Sequence, residues 1–122
     1  LLAISRSFKT SKKDWLIAGT SNGGVAAFNF VSAKPKCFKH VIVMPGAIGK
    51  DAQLRKSWRH LRIVLAYGDQ DAPNWIENTE KTKQRLLKFT PNVQTVVMKG
   101  QGHILPIGYE IDVVYEACFS KE

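Results

Sequence analysis

Four short apolar runs pace this chain, each ending at or beside a glycine: "WLIAG" (15–19), "HVIVMPG" (40–46), "LRIVLAYG" (61–68) and "VQTVVMKG" (93–100). The first two, short, apolar and bounded by glycine, read as strands buried on both faces of a parallel sheet, because a half-exposed strand would alternate with polar residues, and the other two read as a third and a fourth strand. Stretches with helical spacing lie between them. "GGVAAFNFVSAK" (23–34) has small and apolar residues at helical density until Pro35 stops it. "NWIENTEKTKQRLLKF" (74–89) sets Trp75, Ile76, Leu86, Leu87 and Phe89 on a charged background and predicts a surface helix. "IGYEIDVVYEACF" (107–119) predicts an amphipathic helix with Ile107, Ile111, Val114, Tyr115 and Cys118 on one side. The segment 1–8 has the spacing of the end of another helix, and a polar connection with a short helix is expected through Lys50–His60. Strands alternating with helices imply right-handed crossovers and one parallel sheet. The fold class is therefore α/β, a sheet of about four strands with flanking helices.

In such a sheet, chemistry collects in the crevice at the carboxyl ends of the strands. Gly19-Thr20-Ser21-Asn22-Gly23-Gly24 follows the first run, "GDQD" (68–71) the third, and "KGQGHILP" (99–106) the fourth. A hydroxyl, a carboxylate and an imidazole thus fall on one edge, in the order Ser, Asp, His. Gly19, Ser21 and Gly23 form Gly-x-Ser-x-Gly, the signature of a strained strand-to-helix turn that presents a nucleophilic serine. A Gly/Ser/Asn cluster between two apolar runs is also an ordinary turn. His40 and His60 stand at the starts of strands, on the opposite edge, and are expected at the surface or a boundary. Trp15 and Trp58 are expected as packing groups.

At 122 residues, 44% hydrophobic and 23% charged, the chain has the composition of one globular domain or part of one. It begins at Leu1 with no signal-peptide pattern and no apolar run long enough to span a bilayer. Cys37 and Cys118 have no Cys or His at metal-ligand spacing, so no zinc site is expected, and both are read as buried free thiols, with a bridge open to them in an exported protein. A cytoplasmic protein is the expectation, export requiring a signal upstream of Leu1. Eighteen Lys+Arg against ten Asp+Glu give a formal net charge of +8, clustered at 9–13, 34–40, 55–62 and 81–88. Such a surface attracts nucleic acid, anionic membranes or acidic substrates. No nucleic-acid recognition motif accompanies the charge, so it is read as a solvated surface.

On "GTSNGG", "YGDQD" and "GQGHILP", in that order and each after a strand, the chain resembles the C-terminal half of an α/β-hydrolase, of the carboxylesterase, acyl-thioesterase and dienelactone-hydrolase-like branches. The resemblance runs through essentially all of residues 1–122, as a partial domain matching the fifth to eighth strands of the complete fold. It implies a serine hydrolase that cleaves carboxylic esters or thioesters through an acyl-enzyme on Ser21, with His103 as base and then acid. It selects Asp71, three residues after the strand-ending glycine, as the partner of the histidine. Asp69 is the alternative, read otherwise as a turn-shaping residue. The Asn22 N–H is the expected oxyanion donor, and the second donor belongs to a loop outside this sequence. No cofactor or metal is implied.

Trp75, Ile104 and Leu105 lie just beyond the acid and the histidine, where they either line an acyl pocket or pack in the core. The short loop from Gly46 to about His60 leaves no room for a large lid there, which predicts an open site. The strand 15–19 is expected to offer an unpaired apolar edge to an N-terminal half, of the same protein or of another chain. The alternatives are a non-catalytic hydrolase-like module for binding or assembly, and a peptidase of the same fold.

Overall fold

The computed structural model describes residues 14–49, 52–104 and 111–120. Strands β1 (Trp15–Gly19), β2 (Phe38–Val43), β3 (Arg62–Gly68) and β4 (Val93–Met98) form one sheet in the order β1-β2-β3-β4, every neighbouring pair parallel. Helix α1 (Asn22–Ala33) joins β1 to β2, α2 (Pro73–Leu86) joins β3 to β4, and α3 (Asp112–Phe119) follows β4. The expected helix at 1–8, and Leu105, lie outside the described residues.

Side chains alternate across a strand, so β2 and β3 feed two separate cores. Val41, Val43, Ile63 and Leu65 pack on one face with Phe28 and Val31 of α1, Leu86 of α2, and Trp58. Ile42, Val64 and Ala66 pack on the other with Met98 and with Val114 and Cys118 of α3. Covered on both faces, β2 from Val41 onward and β3 from Ile63 onward can be apolar on both sides. Helix α1 buries Gly24, Ala27, Phe28 and Val31, the i, i+3, i+4, i+7 stripe of a helix lying on a sheet. Pro35 opens the short 3₁₀ turn Pro35–Cys37 that leads into β2.

Four sequence expectations change. Strand β1 pairs with β2 alone among the described residues and is half-exposed, with Ala18 open to solvent, so it is a margin of the sheet and not a strand buried on both faces. The inward face of α2 is Thr79, Thr82 and Leu86, while Leu87 is exposed. The reason is what α2 packs against: the extended segment after β2 presents backbone groups, and threonine hydroxyls bond them. Thr82 Oγ1 accepts the Ile48 N–H at 3.1 Å, and Thr79 Oγ1 lies 3.4 Å from the Gly46 carbonyl while also bonding the Trp75 carbonyl of its own helix at 2.8 Å. The short helix expected in the 50–60 connection is present as the 3₁₀ segment Lys56–His60. Trp58 on that turn is fully buried and stacks on Phe28 with ring centroids 6.5 Å apart. Cys118 is buried but Cys37 only half-buried, and both are free; on α3, Val114 and Cys118 face the core while Tyr115 is exposed.

The register aligns the carboxyl ends of the strands. Gly19 stands beside Val43, and Gly68 beside Met98. The basic clusters at 34–40 and 55–62 lie at the opposite, amino ends of β2 and β3. No helix among the described residues is long and apolar enough to cross a membrane.

Candidate active site

Ser21 occupies the single residue between β1 and α1 that carries a positive φ without being glycine, at φ 54°, ψ −123°. That is the geometry of the first central position of a type II′ turn, and the Gly23 N–H closes the turn on the Thr20 carbonyl at 2.8 Å. The bend is thus made by the serine itself. The glycines matter for room. A Cβ on Gly19 would collide with the Gly23 carbonyl, and one on Gly24 would lie 2.5 Å from the Pro45 carbonyl oxygen; at Gly23 nothing is within 4 Å. Glycine at 24, outside the signature, is the one that lets α1 close on the loop after β2. There the Pro45 carbonyl accepts the Ser21 N–H at 2.9 Å and locks the turn.

Across the edge, the Ser21 hydroxyl is 2.7 Å from His103 Nε2. His103 Nδ1 lies 3.1 and 3.0 Å from the two oxygens of Asp71. An ionised carboxylate only accepts, so Nδ1 donates to Asp71, which leaves Nε2 as the acceptor of the serine proton. The Asp71 side chain is fully buried, and its Oδ1 also accepts the Ala72 N–H at 2.6 Å. Asp69 is exposed and accepts the Gly100 N–H at 2.8 Å, which clamps the acid loop to the histidine loop. A second clamp runs from the Gln70 N–H to the Gln101 carbonyl at 2.9 Å. Gly68 is where these loops touch: a Cβ there would overlap the Gln101 carbonyl and lie 2.7 Å from that of Gly102.

The Asn22 N–H heads α1 and has no hydrogen-bond partner among the described residues. An unpaired N–H at a helix N-terminus favours a negative charge. Beside it opens a cleft of about 380 Å³ lined by Thr20, Ser21, Met44, His103 and Ile104. Ile104 is 84% exposed and borders this cleft. Trp75 does not line it; its ring packs on His103 instead, with centroids 4.9 Å apart and an interplanar angle of 36°. Met44 and the Pro45 carbonyl escaped the sequence reading, although their place after the second strand put them on the same edge. Tyr67 escaped it too: its hydroxyl donates to Glu80 Oε1 at 2.9 Å, fastening α2 to the end of β3, and burial followed by the Glu80 carboxylate raises its pKa above the usual 10.

His40 and His60 lie at the far end of the sheet. His40 sits against Phe119 at 4.6 Å, and His60 Nε2 donates to the Phe38 carbonyl at 2.9 Å. Burial first, then Lys39 and Arg62, lower the pKa of His40 below its ordinary 6.5, against a weaker opposite pull from Asp14.

No family model and no curated protein matches the sequence. Solved structures do match the fold. A carboxylesterase of Bacillus cereus superposes with a TM-score of 0.74 at 17% identity, over 94% of this chain and 54% of its own. An α/β-hydrolase enzyme from the sediment metagenome of the Mar Chica lagoon, Morocco, gives 0.59 at 16%, over 84% and 57%. A thioesterase domain from the curacin biosynthetic pathway gives 0.57 at 15%, over 95% and 69%. The chain therefore spans a little over half the length of the first of these. At such identities the likeness establishes the fold: four parallel strands with flanking helices, as in about half of an α/β-hydrolase.

Proposed function

We propose, from this partial α/β-hydrolase fold and the groups at its strand ends, that the protein is a serine hydrolase cleaving carboxylic esters or thioesters through an acyl-enzyme on Ser21. The observation that carries the reading is the continuous hydrogen-bond chain from the Ser21 hydroxyl through both nitrogens of His103 to the buried Asp71.

A serine hydroxyl is a weak nucleophile until a base takes its proton. In this reading Ser21 Oγ attacks the substrate carbonyl carbon while its proton passes to His103 Nε2. Asp71 holds the tautomer and stabilises the imidazolium that results. The oxyanion of the tetrahedral intermediate is bound by the Asn22 N–H, a donor of a kind that contributes about 2.7–4 kcal/mol to the transition state. Collapse breaks the bond to the alcohol or thiol, which leaves with the proton from Nε2. A water then attacks the acyl group, gives its proton to the same nitrogen, and releases the acid and Ser21. The second oxyanion donor comes from outside the described residues. The open edge of β1 is where, in this reading, the strands that complete the sheet pair.

A fluorophosphonate probe tests the nucleophile in the full-length protein. Labelling that maps to Ser21 and disappears in Ser21→Ala and His103→Gln is expected. Hydrolysis of short p-nitrophenyl esters should fall about 10⁴-fold or more in Ser21→Ala. An inert Ser21 and no ester hydrolysis would leave a hydrolase-like module that binds and does not turn over, and parental hydrolysis in Ser21→Ala would remove the acyl-enzyme reading.

A further inference from the structure

We propose that Trp75 is a positioning residue for His103, holding the imidazole in the plane that joins Asp71 to Ser21 and stabilising the charge it gains when it takes the serine proton. The assignment rests on the hydrolase reading above.

His103 lies in the loop that follows β4. Gly100, at φ +72°, and Gly102 flank Gln101, and Ile104 beyond is almost fully exposed. Among the described residues the backbone of this loop is tied at Gly100, whose N–H donates to Asp69, and at Gln101, by its N–H to the Met98 carbonyl at 3.3 Å and its carbonyl to the Gln70 N–H. The imidazole itself has its two in-plane bonds and is one-third exposed. In-plane hydrogen bonds leave rotation out of the plane unopposed, and opposing it takes a contact on the ring face. Trp75 packs against the imidazole with its ring tilted 36° to it and the centroids 4.9 Å apart, which resists that rotation. It also stands on the firmest ground nearby, the first turn of α2, four residues after Asp71 and two after Pro73. Its N–H donates to the Ala72 carbonyl at 2.9 Å and its own carbonyl is bonded by the buried Thr79. One rigid helix start therefore holds both the carboxylate and the ring that together set the imidazole.

Electrostatics adds to the geometry. The face of an indole is negative and attracts a cation within about 6 Å of the ring centroid. His103 lies within that distance, beside a buried carboxylate, and it is neutral before proton transfer and cationic after. An interaction that strengthens as the charge develops accelerates the chemical step, while one that is equal before and after does not. If Trp75 lined the acyl pocket instead, its loss would weaken substrate binding and shift acyl-chain preference.

The test uses the full-length protein with Trp75→Leu and Trp75→Phe. With a short p-nitrophenyl ester, Trp75→Leu should lower kcat about tenfold with KM changed less than threefold, and Trp75→Phe, which keeps an aromatic face, should recover most of the loss. An unchanged kcat, or an effect confined to KM, overturns the assignment. A second readout does not need turnover: an imidazolium quenches a neighbouring indole. Tryptophan emission should therefore fall as His103 protonates, and this step should vanish in both Trp75→Phe and His103→Gln. A step that survives either substitution, or no step in the parent, refutes the contact. A parent that shows the step but hydrolyses no ester overturns the hydrolase reading, and the catalytic role of Trp75 with it.

Discussion

Replacing Ser21 by glycine should make the protein more stable than replacing it by alanine, although neither variant retains the hydroxyl. At φ 54°, ψ −123° a side chain is held where the turn calls for glycine. Sparsely populated backbone regions cost about 1–3 kcal/mol for a residue with a Cβ. Alanine keeps that cost and glycine removes it. Against this, glycine gives the unfolded chain more freedom, worth about 0.4–1 kcal/mol. Both variants lose the 2.7 Å bond to His103, so that loss cancels in the comparison. The net expectation is that Ser21→Gly exceeds Ser21→Ala by about 1 kcal/mol, or about 4 °C in Tm for a chain of this size. Urea unfolding followed by far-UV circular dichroism, with both variants and the parent under one set of conditions, measures it. A glycine variant equal to or weaker than the alanine variant would refute the argument that the turn stores strain. The same result would remove the physical reason for a serine at this point, since a strained position persists where it presents a group for use.

Other expectations follow from the same contacts. Gly68→Ala forces the Gln101 carbonyl back by about 1 Å, and a displacement of that size two residues before His103 should cost roughly 100-fold in ester turnover, against about 1–3 kcal/mol of stability; parental turnover in a folded variant would show that the loop contact does not position the histidine. Thr82→Val removes the acceptor of the buried Ile48 N–H and should cost about 1–3 kcal/mol in urea unfolding, where a neutral result would mean the N–H finds another partner. The His40 imidazole should titrate below 6.5 by NMR, because burial and its Lys39 and Arg62 neighbours disfavour the charged form. Since the folded value lies below the unfolded one, the associated stability is complete above about pH 6.5 and is lost as pH falls toward the folded value; a midpoint at or above 6.5 would contradict this.

Much of the fold was legible in the chain because its signals are short-range. Unbroken apolar stretches mark strand segments covered on both sides, and for residues 41–43 of β2 and 63–67 of β3 the structure agrees. β1 departs from its run because burial depends on neighbours, and here it has one. The face of α2 misled for a related reason. Trp75, Ile76, Leu86, Leu87 and Phe89 are the apolar residues of that segment, but what a helix turns inward is set by its surroundings, and the backbone after β2 is served better by Thr79 and Thr82.

Taken alone, the amino-acid order determined that strands and helices alternate and which polar residues follow which strand, so that Ser21, Asp71 and His103 had to emerge on one edge. Periodicity and turn chemistry act over a few residues and can be read without coordinates. Tertiary structure decided what depends on angles between distant segments. It placed Asp71 at the imidazole and Asp69 on Gly100, put the turn's strain on Ser21, and laid Trp75 on the histidine in place of the cleft. The contacts of Asp71, Asp69 and Trp75 turn on differences of an ångström or two between loops about thirty residues apart, a scale that no local pattern encodes.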